Sequence, residues 1–176
     1  MAEVGIILGS DSDLPKIREC FDILERFQIP YETIISSAHR SPVQTVEWAS
    51  TAAGRGIRVI IAVAGGAAHL PGVVAANTTI PVIGVPVETG IAGGLDSILS
   101  IIQMPAGVPV AAMPAGKAGG ANAALFAASI LALNNAAYAG RIDAFRKETA
   151  EKISGRNQEL KRLGPHEYIR QKEAGR

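Results

Sequence analysis

VGIILGSDSDLPKI, residues 4–17, runs from an unbroken apolar stretch through a polar, turn-forming cluster into a helical pattern. Val4–Leu8 has no polar residue, which suits a strand buried on both faces. GSDSD, Gly9–Asp13, is the turn. Leu14, Ile17, Phe21 and Leu24 then recur at helical spacing. This predicts an amphipathic helix from Leu14 to about Phe27, with Asp13 as its cap and Pro15 in its first turn.

The same pattern repeats outward. Tyr31–Ser36 reads as a second strand, followed by SAHRSP, residues 37–42, with Ser41 as a cap and Pro42 at the first position of a helix. Arg58–Ala64 is a third strand, and AGGAAHLPG, residues 64–72, leads from it into a short helix. Ile80–Val85 and Val108–Ala112 read as strands four and five, with the helix LDSILSII between them. Gly119–Asn134 reads as a small-residue helix and Tyr138 to about Leu163 as a long charged one. Strands alternating with helices predict an α/β fold, a three-layer αβα sandwich around a doubly wound parallel sheet of flavodoxin-like order 2-1-3-4-5, with a C-terminal helical extension. Residues 1–163 read as a single α/β domain that includes the long C-terminal helix, and 164–176 as a charged, flexible tail.

In such a fold ligands bind beyond the carboxyl ends of the strands. GSDSD, SAHRSP and AGGAAHLPG all leave a strand end and enter a helix, so their polar residues gather on one edge. Ser10 and Ser12 offer hydroxyls beside a helix N-terminus, which suits a phosphate. Asp11 and Asp13 suit vicinal ribose hydroxyls, or else simply form turns and a cap. Arg40 is a fork for phosphate, and His39 can both give and take a proton. Ser37, Ala38 and Ser41 are small enough to leave that pair open to a ligand; the alternative is a surface loop with incidental charge. Gly65, Gly66, Ala67 and Ala68 let a ligand approach the backbone before His69, which could also be a packed core histidine.

Composition narrows the class. The chain has 176 residues and a net charge of +1, which favours neither nucleic acid nor an acidic membrane. Cys20 is its one cysteine, so no internal disulfide can form, and a reducing, cytoplasmic location is expected. MAEVGIILGS lacks the basic start and long apolar stretch of a signal peptide. The apolar segment Ala123–Leu133 is well short of the ~20 residues of a membrane span. From Val59 to Gly140 the only charged side chains are Glu88, Asp96 and Lys117, whereas sixteen lie from Arg141 onward. A centre this bare predicts a homo-oligomer with a large Gly- and Ala-rich interface, against the alternative of a deep monomer core. No GxGxxG follows strand one, GKAGG fails the phosphate-loop pattern at Ala111 and Ala118, and His39, His69 and His166 lack metal-ligand spacing. Composition and loops thus reach a soluble α/β oligomer that binds a small phosphorylated, ribosylated anion beside an acid–base histidine.

GSDSD, SAHRSP, AGGAAHLPG, PVIGVPV, LDSILSIIQMPAGVPVA and GKAGGANAALFAASIL, in unbroken order over Val4–Leu133, together resemble the PurE family, the N5-carboxyaminoimidazole ribonucleotide mutases of bacterial purine synthesis. The resemblance implies that a carboxylate moves from the exocyclic nitrogen to C4 of aminoimidazole ribonucleotide, in a homo-octamer with sites where subunits meet and no metal, biotin or ATP. It implies His39 as the catalytic histidine and His69 as a second one. Asp13 would hold the ribose, Arg40 helped by Ser12 the phosphate, and Ser10 and Leu70 would complete the substrate contacts. Ser37 and Ala38 would border the base, while Gly65, Gly66 and Ala67 would receive the carboxylate. Arg40 and AGGAAHLPG resemble the mutases rather than the animal-type carboxylases, which take free carbon dioxide and typically carry SAHK and an AGRSN-like third loop. That direct carboxylase and a non-catalytic nucleotide-binding module are the rival readings. Ser41 stands where threonine is frequent in the family, and AAMPAG, residues 111–116, where TLAIG is common, which bears on packing near Pro114.

Overall fold

A computed structural model describes residues 1–174. Its five strands are β1 (Val4–Leu8), β2 (Tyr31–Ile35), β3 (Val59–Ala64), β4 (Val82–Pro86) and β5 (Ala111–Ala112). They form one parallel sheet of order β2-β1-β3-β4-β5, the doubly wound order expected. Val4 lies opposite Tyr31 on one side and Val59 on the other, Ile60 opposite Val82, and Ile83 opposite Ala111.

Every residue of β1, β3 and β4 is buried, which is why their sequences are apolar without alternation. Neighbouring residues serve opposite layers. Ile6, Leu8, Ile61, Val63, Ile83 and Val85 face α1 (Arg18–Arg26), α5 (Lys117–Ala132) and α6 (Ala136–Leu163), meeting Cys20, Leu24, Ala123 and Ala127. Ile7, Ile60, Ala62 and Val82 face α2 (Pro42–Thr51), α3 (Leu70–Ala76) and α4 (Leu95–Ile102), meeting Ala49, Val74 and Ile101. Cys20 is fully buried in α1, and burial pushes its thiol up to about 12, so it serves as packing.

Close approach explains several glycines. A Cβ on Gly84 of β4 would lie 2.5 Å from Ile101 Cγ2 and 2.9 Å from Val110 Cγ1, so α4 sits directly on bare backbone. On the other layer a Cβ on Gly120 of α5 would lie 3.1 Å from Ile17 Cα. The alanine- and glycine-rich face of α5 is the thin seam that lets this helix lie against the sheet and against α1.

Several boundaries differ from expectation. The segment expected to be helical from Leu14 opens as a 3-10 turn over Asp11–Ile17, and the α-helix proper starts at Arg18. Ser10, not Asp13, caps that turn; Pro15 lies inside it and cannot donate an α-helical bond. Strand four is shifted to Val82–Pro86, beyond Pro81. Strand five shrinks to two residues, because Gly107 takes a φ of 94° and Pro109 offers no ladder donor. Ser41 precedes α2 without capping it, and Pro42 takes the first helical position. Helix α5 starts at Lys117, two residues early. Helix α6 also begins two residues early, because the Asn135 side chain accepts from Ala137 N–H. It is fastened to the sheet layer through Tyr138, hydrogen-bonded to Glu3, and Arg141, which donates to the Phe27 carbonyl. Of the charged tail, Pro165–Ala174 forms a further helix, α7. No helix among the described residues is long and apolar enough to cross a membrane.

Gly84→Ala should lower stability by about 1–3 kcal/mol through overpacking against Ile101. Thermal unfolding by circular dichroism should show Tm falling by roughly 2–4 °C per kcal/mol. An unchanged Tm would mean that α4 does not rest on β4 as described.

Candidate active site

The three strand–helix junctions meet in one cavity of about 470 Å³ at the carboxyl edge of the sheet. Gly9, Ser10 and Asp13 line it from the first loop, Ser37–Arg40 from the second, and Gly65–Ala67, His69 and Leu70 from the third. Beyond Arg40 a more open hollow of about 310 Å³ continues between Ser10, Asp11, Ser37 and Ser41.

The second loop is held by hydroxyls. Ser36 and Thr45 are buried and lie 2.8 Å apart through their side-chain oxygens, and Ser36 Oγ is 3.1 Å from Ser41 Oγ. Ser41 Oγ in turn accepts from Ser37 N–H at 2.9 Å. Ser41 is therefore turned back into its own loop, which is why it leaves the helix uncapped. Arg40 N–H donates to Ser37 Oγ at 3.3 Å, and the Arg40 guanidinium donates to the Gly9 carbonyl at 2.8 Å. That bond ties loop two to loop one and still leaves most guanidinium donors free for an anion.

In the first loop, Asp13 is buried and takes Lys16 Nζ at 3.1 Å. Its carboxylate is thus fixed and partly satisfied before any ligand arrives. Ser12 does not line the cavity: its hydroxyl donates to Ser10 Oγ at 2.9 Å, so it supports Ser10 from behind.

His39 Nε2 lies 2.8 Å from His69 Nδ1, with the rings nearly perpendicular at 79°. One of these nitrogens must carry a hydrogen and the other a lone pair, so the two rings share a proton along a single line. His69 directly precedes α3 on the surface, so it is not a packed core histidine. Both rings are exposed on a single chain.

The third loop supplies a wall without side chains. A Cβ on Gly65 would lie 2.6 Å from Val87 Cγ2, so this residue has no room behind it. Gly66 has a φ of 68° and open space where a Cβ would stand. Its N–H donates to Ser97 Oγ at 2.9 Å and its carbonyl accepts from Ser100 Oγ at 3.2 Å. Near this wall Thr89 also lines the cavity, and its hydroxyl donates to Asp96 at 2.6 Å, holding that carboxyl below the usual range.

Of the expected site residues, three do not line this cavity: Ser12, Asp11, which borders only the outer hollow and accepts from Ser12 N–H at 2.9 Å, and Ala68, which is buried. Sequence reading missed Lys16, Val87 and Thr89 on its lining and the supports Ser36, Thr45, Ser97 and Ser100. Lys16 was detectable, being one helical turn beyond Asp13. The hydroxyls carried no motif, because they act through backbone brought close only by folding. The assembled site joins a guanidinium, hydroxyls and a carboxylate to a hydrogen-bonded imidazole pair beside a bare backbone wall.

Residues 3–152 match the family described as AIR carboxylase. The N5-carboxyaminoimidazole ribonucleotide mutase of Thermotoga maritima is 50% identical over 173 residues, covering 98% of this chain and 100% of the relative. That of Bacillus subtilis is 53% identical over 150 residues, covering 85% and 93%. Among solved structures, Treponema denticola PurE superposes with a TM-score of 0.81 at 28% identity, over 90% of this chain and 98% of that one.

Ribose 5-phosphate should bind this cavity, and Arg40→Ala should weaken it by about 1.5–3 kcal/mol, roughly 10- to 150-fold in Kd. Isothermal titration calorimetry measures this; an unchanged affinity would place the phosphate elsewhere.

Proposed function

This chain belongs to the AIR carboxylase family, and we propose that it interconverts N5-carboxyaminoimidazole ribonucleotide and 4-carboxy-5-aminoimidazole ribonucleotide in de novo purine synthesis. The observation that carries the proposal is the His39–His69 pair, 2.8 Å apart, beside the Gly65–Ala67 wall and Arg40. Arg40 and the Ser10 hydroxyl hold the phosphate, Asp13 the ribose, and Ser37, Ala38 and Leu70 flank the base.

Chemistry begins with the carbamate. Its N–C bond breaks, carbon dioxide departs, and the electron pair left on the exocyclic nitrogen takes a proton from His39. Aminoimidazole ribonucleotide is electron-rich at C4, which attacks the trapped carbon dioxide and forms the new C–C bond. His39, now a base, removes the C4 proton and restores aromaticity. One group must act as acid and then as base, which suits an imidazole. His69 orients the ring through the shared hydrogen bond and accepts or returns the proton in line. Carbon dioxide is small and uncharged, so retention depends on a closed space next to C4. Side chains larger than those of Gly65, Gly66 and Ala67 would fill it.

A single chain leaves both histidines exposed, so the space needs a further wall. We place this wall on a neighbouring copy in a cytoplasmic homo-octamer. Supporting this, Leu95, Leu99 and Ile102 of α4 are 46–48% exposed along one helix face, next to the loop that bears Thr89. The animal-type direct carboxylase is disfavoured by Arg40, His69 and the 50% identity to the mutases.

His39→Asn should lower turnover of N5-carboxyaminoimidazole ribonucleotide by roughly 10²–10⁴-fold while leaving its binding within a few-fold. The assay runs beside one with aminoimidazole ribonucleotide and bicarbonate. Turnover of wild type with the second substrate pair alone would overturn the mutase assignment, and an active His39→Asn would overturn the role of the histidine.

The double variant Leu99→Glu, Ile102→Glu should sediment as a smaller species than wild type and lose activity in parallel. A full-sized assembly in analytical ultracentrifugation would show that this face is not the interface.

A further inference from the structure

An uncharged gas offers the cavity wall no charge to hold, so its retention depends on how still the wall stands. Gly66 carries the least steric restraint in that wall: it has no side chain, a φ of 68° and open space where a Cβ would stand. Two hydroxyls from α4 hold it from outside the cavity. Ser97 is fully buried; its Oγ accepts the Gly66 N–H at 2.9 Å and donates to the Val87 carbonyl at 2.9 Å. Half-buried Ser100 shares its single hydroxyl hydrogen between the Asp96 carbonyl at 2.8 Å and the Gly66 carbonyl at 3.2 Å, and the Gly66 carbonyl also accepts the Ala68 N–H at 2.8 Å. The Gly66 N–H belongs to the peptide plane before its Cα and the carbonyl to the plane after it. Holding both planes fixes φ and ψ at once, a restraint that glycine lacks on its own. Neither serine lines the cavity, so neither touches substrate.

We propose that Ser97, seconded by Ser100, is a positioning residue for carboxyl transfer, locking the Gly66 backbone so that released carbon dioxide remains beside C4 until it is captured. This rests on the mutase reading above. Loss of the lock changes the fate of the carbon dioxide and not merely the rate: a wall that swings open lets the gas exchange with solvent. A residue that only stabilised the fold would lower the active fraction and leave that partition unchanged.

The test supplies N5-carboxyaminoimidazole ribonucleotide in buffer containing ¹³C-bicarbonate and carbonic anhydrase, with enzyme-free decay subtracted. Wild type should give unlabelled product in step with substrate consumed. Ser97→Ala should accumulate aminoimidazole ribonucleotide and raise labelled product by roughly tenfold, the scale of losing one buried hydrogen bond. Ser100→Ala, which removes a weaker and less buried contact, should leak in the same sense but less, and it decides the matter if Ser97→Ala does not fold. Unlabelled product from the folded variants, with only turnover reduced, would overturn the proposal. No turnover of this substrate by wild type would overturn the mutase reading and this role with it.

Discussion

Burial of β1, β3 and β4 on both faces is the constraint from which the rest of the molecule follows. A strand with no solvent face must be apolar throughout and must be covered by helices above and below. The chain therefore leaves each strand at the same edge, and each exit runs into a helix. Polar residues excluded from the core collect at those exits. The cavity arises where the sheet has no side chains left to give, and its chemistry is set by what the exits carry.

Within that frame two kinds of small residue divide the labour. Glycines permit approach: Gly84 lets α4 lie on the sheet, and Gly65 lets the third loop lie on Val87. Hydroxyls then restore the order that such bare backbone lacks. Ser36, Ser41 and Thr45 do this for the loop that bears His39 and Arg40. Ser97 and Ser100 do so for the loop before His69. The imidazole pair is thus held from two sides by hydrogen bonds that leave the cavity itself unfilled. Preorganisation of this kind would serve the proposed chemistry, in which one reactant carries no charge to hold.

Helix α4 links these features. Its inner face meets Gly84 through Ile101, its serines hold Gly66, and its outer face shows Leu95, Leu99 and Ile102 to solvent on a single chain. An assembly that covers this outer face would also steady the wall of the site. The scarcity of charge between Val59 and Gly140 and the exposure of both histidines would both be accounted for by the proposed assembly.

Much of this was legible in the linear chain, because periodicity and turn chemistry are local. The apolar runs of β1, β3 and β4 declared a two-faced parallel sheet, and the order 2-1-3-4-5 followed. The loops declared His39, Arg40, Asp13 and His69, since reactive residue types among small neighbours are visible without coordinates. What needed folding was every relation across the chain. Pro15 and Ser10 settled between them where the first helix begins. Ser12 turned behind Ser10 instead of into the cavity. Lys16 paired with Asp13, and His39 came within 2.8 Å of a histidine thirty positions away. Ser97 and Ser100 found Gly66 only because α4 packs over β4. Such contacts depend on direction and distance between segments remote in the chain, and a one-dimensional pattern carries neither.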